Sequence, residues 1–401
     1  MQKRLSLVVL TILSLNFSIN AAKLENSDYV FLTVGSDSTH THQKAISNYE
    51  VVSTQDDISV IKILRKDVEE LSHHMHEDFN RCGGFIAHDS EQEAIEEQMS
   101  DNKRLAAKSL SFVDYSLTEE SSVKSMINVV SAQRIEADIR KLSSYKTRHH
   151  KSSTGLESQE WILNKWKAMA SRRNDIEVSY FEHDRTPQPS VIMKIKGKSE
   201  DAIIVGGHGD STASSFWGGS KAEAPGADDN ASGIATINEI IKILLDSSFV
   251  PQNTIYFISY AAEEVGLVGS KHIAQDFSKR GVNVVGVLQL DMTNFKGSSK
   301  YDIVMMTDYT NDEQNKFLGT LIEKYLPNLK WGFDKCGYGC SDHASWHGEG
   351  FPASVPFESR KNDMNRKIHT KNDVIDLSGG HAEHAQKFAK LGIAYVIELD
   401  R

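Results

Sequence analysis

The chain has 401 residues, of which 39% are hydrophobic and 25% charged, enough to bury a full core in one large domain or in a large domain with an appendage. Its formal charge of −10 is spread over both signs, with no Lys/Arg block and no aromatic-basic interleaving, which argues against nucleic acid as a partner. Only three cysteines are present, so a zinc-thiolate site would lack the further Cys partners it usually needs.

The N-terminus, MQKRLSLVVLTILSLNFSINAAK, places Lys3 and Arg4 before an apolar run over 5–17 and ends it in Ala21 and Ala22, the layout of a secretory signal peptide over 1–22. The run is too short for a membrane span and no later stretch is apolar enough. This predicts no stable membrane insertion after signal cleavage and a secreted protein, exported through the periplasm if the source is Gram-negative. Residues 23–123 are polar and rich in Ser, Glu and His, with a strand at ISVIKIL (58–64) and a helix from Asp67. They read as a small α+β domain or propeptide. Within it HHMH (73–76) reads as a solvated helix face rather than a metal site.

From residue 124 to 401 strands and amphipathic helices alternate. Helical patterns at 132–142 and 159–171 precede the extended IEVSYF and SVIMKIKG. AIIVGG, TIYFISY, NVVGVLQLDM and YDIVMMT then alternate with helices after Gly233, near Gly269 and after Asn311. Short, continuously apolar strands between helices predict an α/β fold whose central, mostly parallel or mixed sheet is sandwiched by helices. In such sheets ligands collect beyond the carboxyl ends of the strands. Three strands run directly into polar loops there: AIIVGG into HGDS, TIYFISYAA into EEVG, and VVGVLQL into DMTN.

GADDNASG (226–233) sets two carboxylates side by side just before a helix. A turn with a helix cap explains Asp228 or Asn230 but not the whole cluster. Together with His208, Asp210, Glu263, Glu264, Asp291 and His369, these acids would repel one another without a cation. A pair of divalent ions resolves the conflict, one carboxylate can span both, and imidazole plus carboxylate suits zinc. In CGYGC, Cys336 and Cys340 read as a small local disulfide, which leaves Cys82 over.

Taken together, GGHGDS, APGADDNASG, YAAEEVGLVGS, LQLDMTN, CGYGCSDHASWH, PFES and IHT resemble the secreted bacterial leucyl aminopeptidases, a di-zinc metallopeptidase family, from about residue 125 to 401. The resemblance implies two Zn2+ per catalytic domain, with Asp229 as the bridge, His208 and Asp291 completing one site, and Glu264 and His369 the other. It also implies that Asp210 orients His208, that a cis peptide follows Asp229, and that Glu263 is the general base toward a zinc-activated water. The implied substrates are peptides or proteins with a free N-terminus and a hydrophobic first residue such as Leu, cut by a monomeric enzyme.

The family's pocket maps to Met292, Met306, Tyr338, Val355, Phe357, Met364 and Ile368, with the Cys336–Cys340 bridge as one wall. Lys361 and Met364 stand where the family pattern has aromatics. His343 and His347 are spaced i, i+4 but enclose no Glu, unlike HExxH, and read as supports of the pocket loop. His272, His381 and His384 read as surface or packing residues. An N-terminal propeptide in this family assists folding or masks the site, which implies cleavage of 23–123. Glutaminyl cyclases on the same scaffold, and binding proteins that have lost the chemistry, are the alternatives. The intact Glu263–Glu264 pair and full ligand set favour hydrolysis.

Overall fold

A computed structural model describes residues 28–79, 81, 83–99, 116–213 and 219–401. The signal peptide expected over 1–22, and Cys82, lie outside these residues.

The N-terminal lobe comprises β1 (Tyr29–Gly35), α1 (Thr39–Ala45), β2 (Glu50–Gln55), β3 (Ile58–Leu64), α2 (Val68–Phe79), β4 (Phe85–His88) and α3 (Glu91–Met99). Its four-stranded sheet, in the order β2-β3-β1-β4, is antiparallel throughout. Val30, Leu32 and Val34 alternate inward along β1 and meet Ile61, Ile63 and Leu71, so a period-two strand closes over one face of a helix. The sequence pattern predicts β3 and α2 here; the other three strands emerge only in the structure.

The larger domain is built on a six-stranded sheet in the order β12-β9-β7-β8-β6-β5. β7 (Ser199–His208) lies between β8 (Asn253–Tyr260) and β9 (Val284–Gln289), parallel to both, and the short β12 (Ala353–Ser354) extends the parallel half. β5 (Ile176–His183) and β6 (Thr186–Ile195) form an antiparallel hairpin on the other side. The sheet is therefore mixed, with helices on both faces. On one face lie α4 (Glu120–Ile127), α5 (Ala132–Ser143), α6 (Ser153–Ala170), α7 (Ala231–Asp246) and α11 (Ala385–Leu399). On the other lie α8 (Val268–Lys279) and α10 (His343–Gly348), whose Trp346 packs on Phe277. A small sheet of β10 (Ile303–Met306), β11 (Trp331–Asp334) and β13 (Pro356–Phe357), with α9 (Asp312–Tyr325), completes the domain. α7 is buried along almost its whole length, as its run of Ile and Leu requires.

The structure attaches more of the chain to this domain than residue 124 onward. Val123, Met126 and Ile127 of α4 enter its core, and the backbone N–H groups of Thr118 and Glu119 each donate to the Glu398 carboxylate at 3.1 Å. The i, i+3, i+4 apolar stripe of α4 is hidden in the sequence among Ser, Glu and Lys.

Candidate metal centre

Three parallel strands deliver the polar loops to one crevice. His208 is the last residue of β7, Glu263 and Glu264 open the turn after β8, and Asp291 follows β9. Asp228 and Asp229 stand at the start of α7, where the Asn230 side chain accepts the Gly233 N–H, and the Asp229–Asn230 peptide is cis. Ala262, Met292 and His369 hold positive φ of 54°, 52° and 54°. For residues with a Cβ this conformation is strained, and such strain gathers where side chains must be aimed.

His208 Nε2 lies 3.1 Å from Asp229 Oδ1 and 3.4 Å from Asp291 Oδ1. His369 Nε2 lies 3.3 Å from Asp229 Oδ2 and 2.8 Å from Glu264 Oε2. The two oxygens of Asp229 thus face two different histidines, each accompanied by a second carboxylate. All five residues are buried. Asp210 Oδ1 is 3.4 Å from His208 Nδ1, and the same carboxylate accepts the backbone N–H groups of Glu263 at 3.1 Å and Glu264 at 3.3 Å. One acid thereby orients the histidine and the paired glutamates together.

The electrostatics of the crevice call for positive charge. Glu264 Oε1 and Glu263 Oε2 are buried without a hydrogen-bond partner, while Asp229 Oδ2 and Glu264 Oε2 face only the His369 ring and Asp291 Oδ1 only the His208 ring. Burial, with the neighbouring Asp229 charge, pushes Glu264 up to about 7. Burial also drives Glu263 well above the carboxylate range; His208 opposes this and Glu264 adds to it. Burial pushes Asp229 the same way, but hydrogen bonds from His208 and His369 outweigh it and hold Asp229 low. Orphaned carboxylate oxygens around two imidazoles are the donor set of a divalent transition-metal centre, and the residues present fit such a group.

Several supporting residues have no distinctive sequence signal. Asp373 accepts the N–H groups of Asp228 at 3.2 Å and Asp229 at 3.0 Å, and the Asn365 amide at 2.9 Å. Arg148 is fully buried; its guanidinium donates to the carbonyls of Gly209 at 3.0 Å and Gly226 at 2.9 Å, tying the His208 loop to the Asp229 loop. Ser341 Oγ donates to Asp291 Oδ2 at 2.5 Å. Their partners are mostly backbone atoms far away in sequence, which no local motif records.

Beside the crevice, Met292, Met306, Val355, Phe357, Met364 and Ile368 form one apolar cluster. Tyr338 and the Cys336–Cys340 disulfide lie at its edge. The cavity left between them is only about 10 Å³, room for about one water. Lys361 Nζ reaches within 3.3 Å of both Tyr338 OH and Met364 Sδ, so the lysine at an expected aromatic position closes the rim.

HHMH does not form a solvated helix face. α2 turns Leu71 and Met75 into its own lobe and Ser72 and His76 toward the crevice, so both sides of the helix are covered. Ser72 Oγ donates to the Glu264 carbonyl at 3.2 Å, the His76 ring lies 4.7 Å from that of His369, and the Arg81 guanidinium lies 5.1 Å over the Tyr338 ring. His343 Nε2 and the Asp308 carbonyl are 3.1 Å apart, and the His347 ring packs on Tyr309; neither joins the crevice. His272 pairs with His183, and His384 Nε2 meets the Glu358 carbonyl at 3.0 Å, both packing roles.

Comparison with known proteins bears on this geometry. Residues 190–393 match peptidase family M28. Among sequence relatives, a probable leucine aminopeptidase of Arthroderma benhamiae is 34% identical over 289 residues, covering 71% of this chain and 77% of its own. Leucine aminopeptidase 1 of Metarhizium robertsii is 36% identical over 292 residues, covering 70% and 72%. Among solved structures, the LapA aminopeptidase of Legionella pneumophila superposes with a TM-score of 0.80 at 29% identity, over 93% of this chain and 98% of its own. That share exceeds what residues 116–401 alone supply, so the likeness extends into the N-terminal lobe. A glutaminyl cyclase of an Acidobacteriales bacterium, at 15% identity and a TM-score of 0.55 over 68% of this chain and 95% of its own, shares the fold alone. The chain belongs to peptidase family M28 and is an enzyme.

Proposed function

We propose that this peptidase is a secreted zinc aminopeptidase that removes hydrophobic residues such as Leu from the N-terminus of peptides and proteins. The observation that carries the reading is Asp229, whose two oxygens face His208 with Asp291 on one side and His369 with Glu264 on the other. His208, Asp229 and Asp291 would hold one zinc, and Glu264, Asp229 and His369 a second. A zinc pair supplies Lewis acidity toward the scissile carbonyl, acidifies a water and accepts a free amine. Glu263, whose Oε2 is buried and unpartnered, takes the proton of the attacking water and passes it to the departing nitrogen. Asp210 fixes the His208 ring and, by accepting the N–H groups of Glu263 and Glu264, sets the directions in which the two neighbours point.

The apolar cluster around Met292 and Phe357 receives the first side chain of the substrate, which requires Lys361 and Tyr338 to yield. The N-terminal lobe is a propeptide. It lays α2 across Glu264 and His369, and its removal after signal-peptide cleavage opens the crevice. Because α4 and the Thr118–Glu119 backbone are tied to the larger domain, the maturation cut falls ahead of Thr118, somewhat before the approximate boundary near 123. The mature enzyme is a monomer. The test is purified mature protein assayed on leucyl anilide and on N-acetyl-leucyl anilide: cleavage of the first alone is expected, and comparable rates on both would overturn an amine-anchored exopeptidase.

A further inference from the structure

We propose that Glu69, His149 and His150 form a separate binding site for a divalent transition ion of the zinc class, one that clamps the N-terminal lobe to the larger domain. Glu69 lies in the first turn of α2, whereas His149 and His150 lie in the connection between α5 and α6, so the site exists only while the two parts are docked. One ligand-capable atom from each of the three residues falls within 4.8 Å of the others. His149 Nε2 stands 3.6 Å from Glu69 Oε1, close to the ~3.4 Å edge of a tetrahedron with bonds of ~2.1 Å. Two imidazoles and a carboxylate, with a position left for water, are a zinc-type donor set.

The histidines are built for this task rather than for solvent. Their relative exposures are 3% and 4%, and Nε2 of each is buried without a hydrogen-bond partner. Burial holds both rings below the ordinary histidine range, His150 at about 4, so they stand neutral, as metal ligands must. His150 Nδ1 is 2.9 Å from Thr186 Oγ1, the kind of outer contact that fixes a ligating ring. A cavity of about 250 Å³, bordered by Glu69, His150, Lys151 and Arg185, supplies water and a route of entry.

Two contacts compete with the ion. Lys151 Nζ lies 3.0 Å from Glu69 Oε1, but its side chain is half exposed and can swing into solvent. The Lys151 backbone N–H approaches His149 Nδ1 at 3.2 Å; binding through Nε2 places the ring proton on Nδ1, so this long contact must open. Arg185 is committed to Asp89.

The experiment is zinc titration of the chelator-stripped full chain, followed by metal analysis. The wild type should retain one more equivalent per chain than the His149→Ala/His150→Ala variant and than Glu69→Gln, whose partly exposed carboxylate guards against a fold defect. Lys151→Met should bind the extra ion more tightly. Equal zinc content in the wild type and both ligand variants, with Lys151→Met unchanged, would leave a lysine–glutamate pair over two neutral histidines and overturn the proposal. Asp229→Ala in the same full chain separates the two sites: it should keep the extra equivalent while losing the crevice zinc, and loss of the extra equivalent as well would count against a distinct site.

Discussion

The two lobes differ in where carboxylates are buried: among the described residues, no Asp or Glu of the N-terminal lobe is a buried residue. The hydrophobic core of that lobe includes Val30, Leu32, Ile61, Ile63, Leu71 and Met75. Several of its polar atoms are directed outward against the larger domain: Ser72 on the Glu264 carbonyl, Glu93 on Gln275 at 2.9 Å, and the Ala87 carbonyl on Lys271 Nζ at 2.6 Å. The larger domain instead gathers Asp229, Glu263, Glu264 and Asp291 below its surface, several of their oxygens without partners. A cover can be stabilised by ordinary packing; a reaction centre must hold charge that only an ion or a substrate compensates.

That contrast can be broken at its strongest point by Glu263→Gln in the mature enzyme. The expected fall in kcat is ~10³-fold, within the range for losing a positioned general base, with zinc content and fold unchanged. Near-normal turnover would remove Glu263 from its role. A smaller effect tests the cover. Proteolytic removal of the N-terminal lobe should raise kcat/KM on leucyl anilide by roughly 10-fold or more, because α2 no longer occupies the approach to His369. An unchanged value would show that the lobe does not obstruct the crevice.

The smallest effect concerns stability. Burial lowers His343 and His384 of the larger domain to about 4, so the fold holds both neutral while the unfolded chain protonates them near 6.5. Their contribution is fully present above pH 6.5 and is lost as the pH falls toward 4, a decline on the order of a few kcal/mol. Urea midpoints measured at pH 7 and pH 5 should show it; equal midpoints would contradict it.

What the sequence discloses follows from how locally each feature is encoded. Strands of the large sheet are unbroken apolar runs, and AIIVGG, TIYFISY and NVVGVLQL stand out because both of their faces are buried. Four candidate ligands are legible for the same reason, since His208, Glu264 and Asp291 end or closely follow a strand and Asp229 heads α7; His369 sits in a loop twelve residues beyond β13 and is legible only through the IHT motif. Arg148 and Asp373 are silent because each acts through several hydrogen bonds, chiefly to the backbone of loops far away in the chain. His76 misleads because periodicity gives the spacing of a helix face but not what lies opposite it. β2 is largely exposed and β4 has only four residues, so neither carries a clear strand pattern, and β1, as long as β3, stands out only once its antiparallel partners are seen.

The most direct test of the account is the zinc content of Asp229→Ala beside that of the wild type, measured on the same preparation by elemental analysis. Because one carboxylate serves both histidine-carboxylate pairs, the variant should lose two equivalents together. Loss of a single equivalent, or of none, would contradict a shared Asp229.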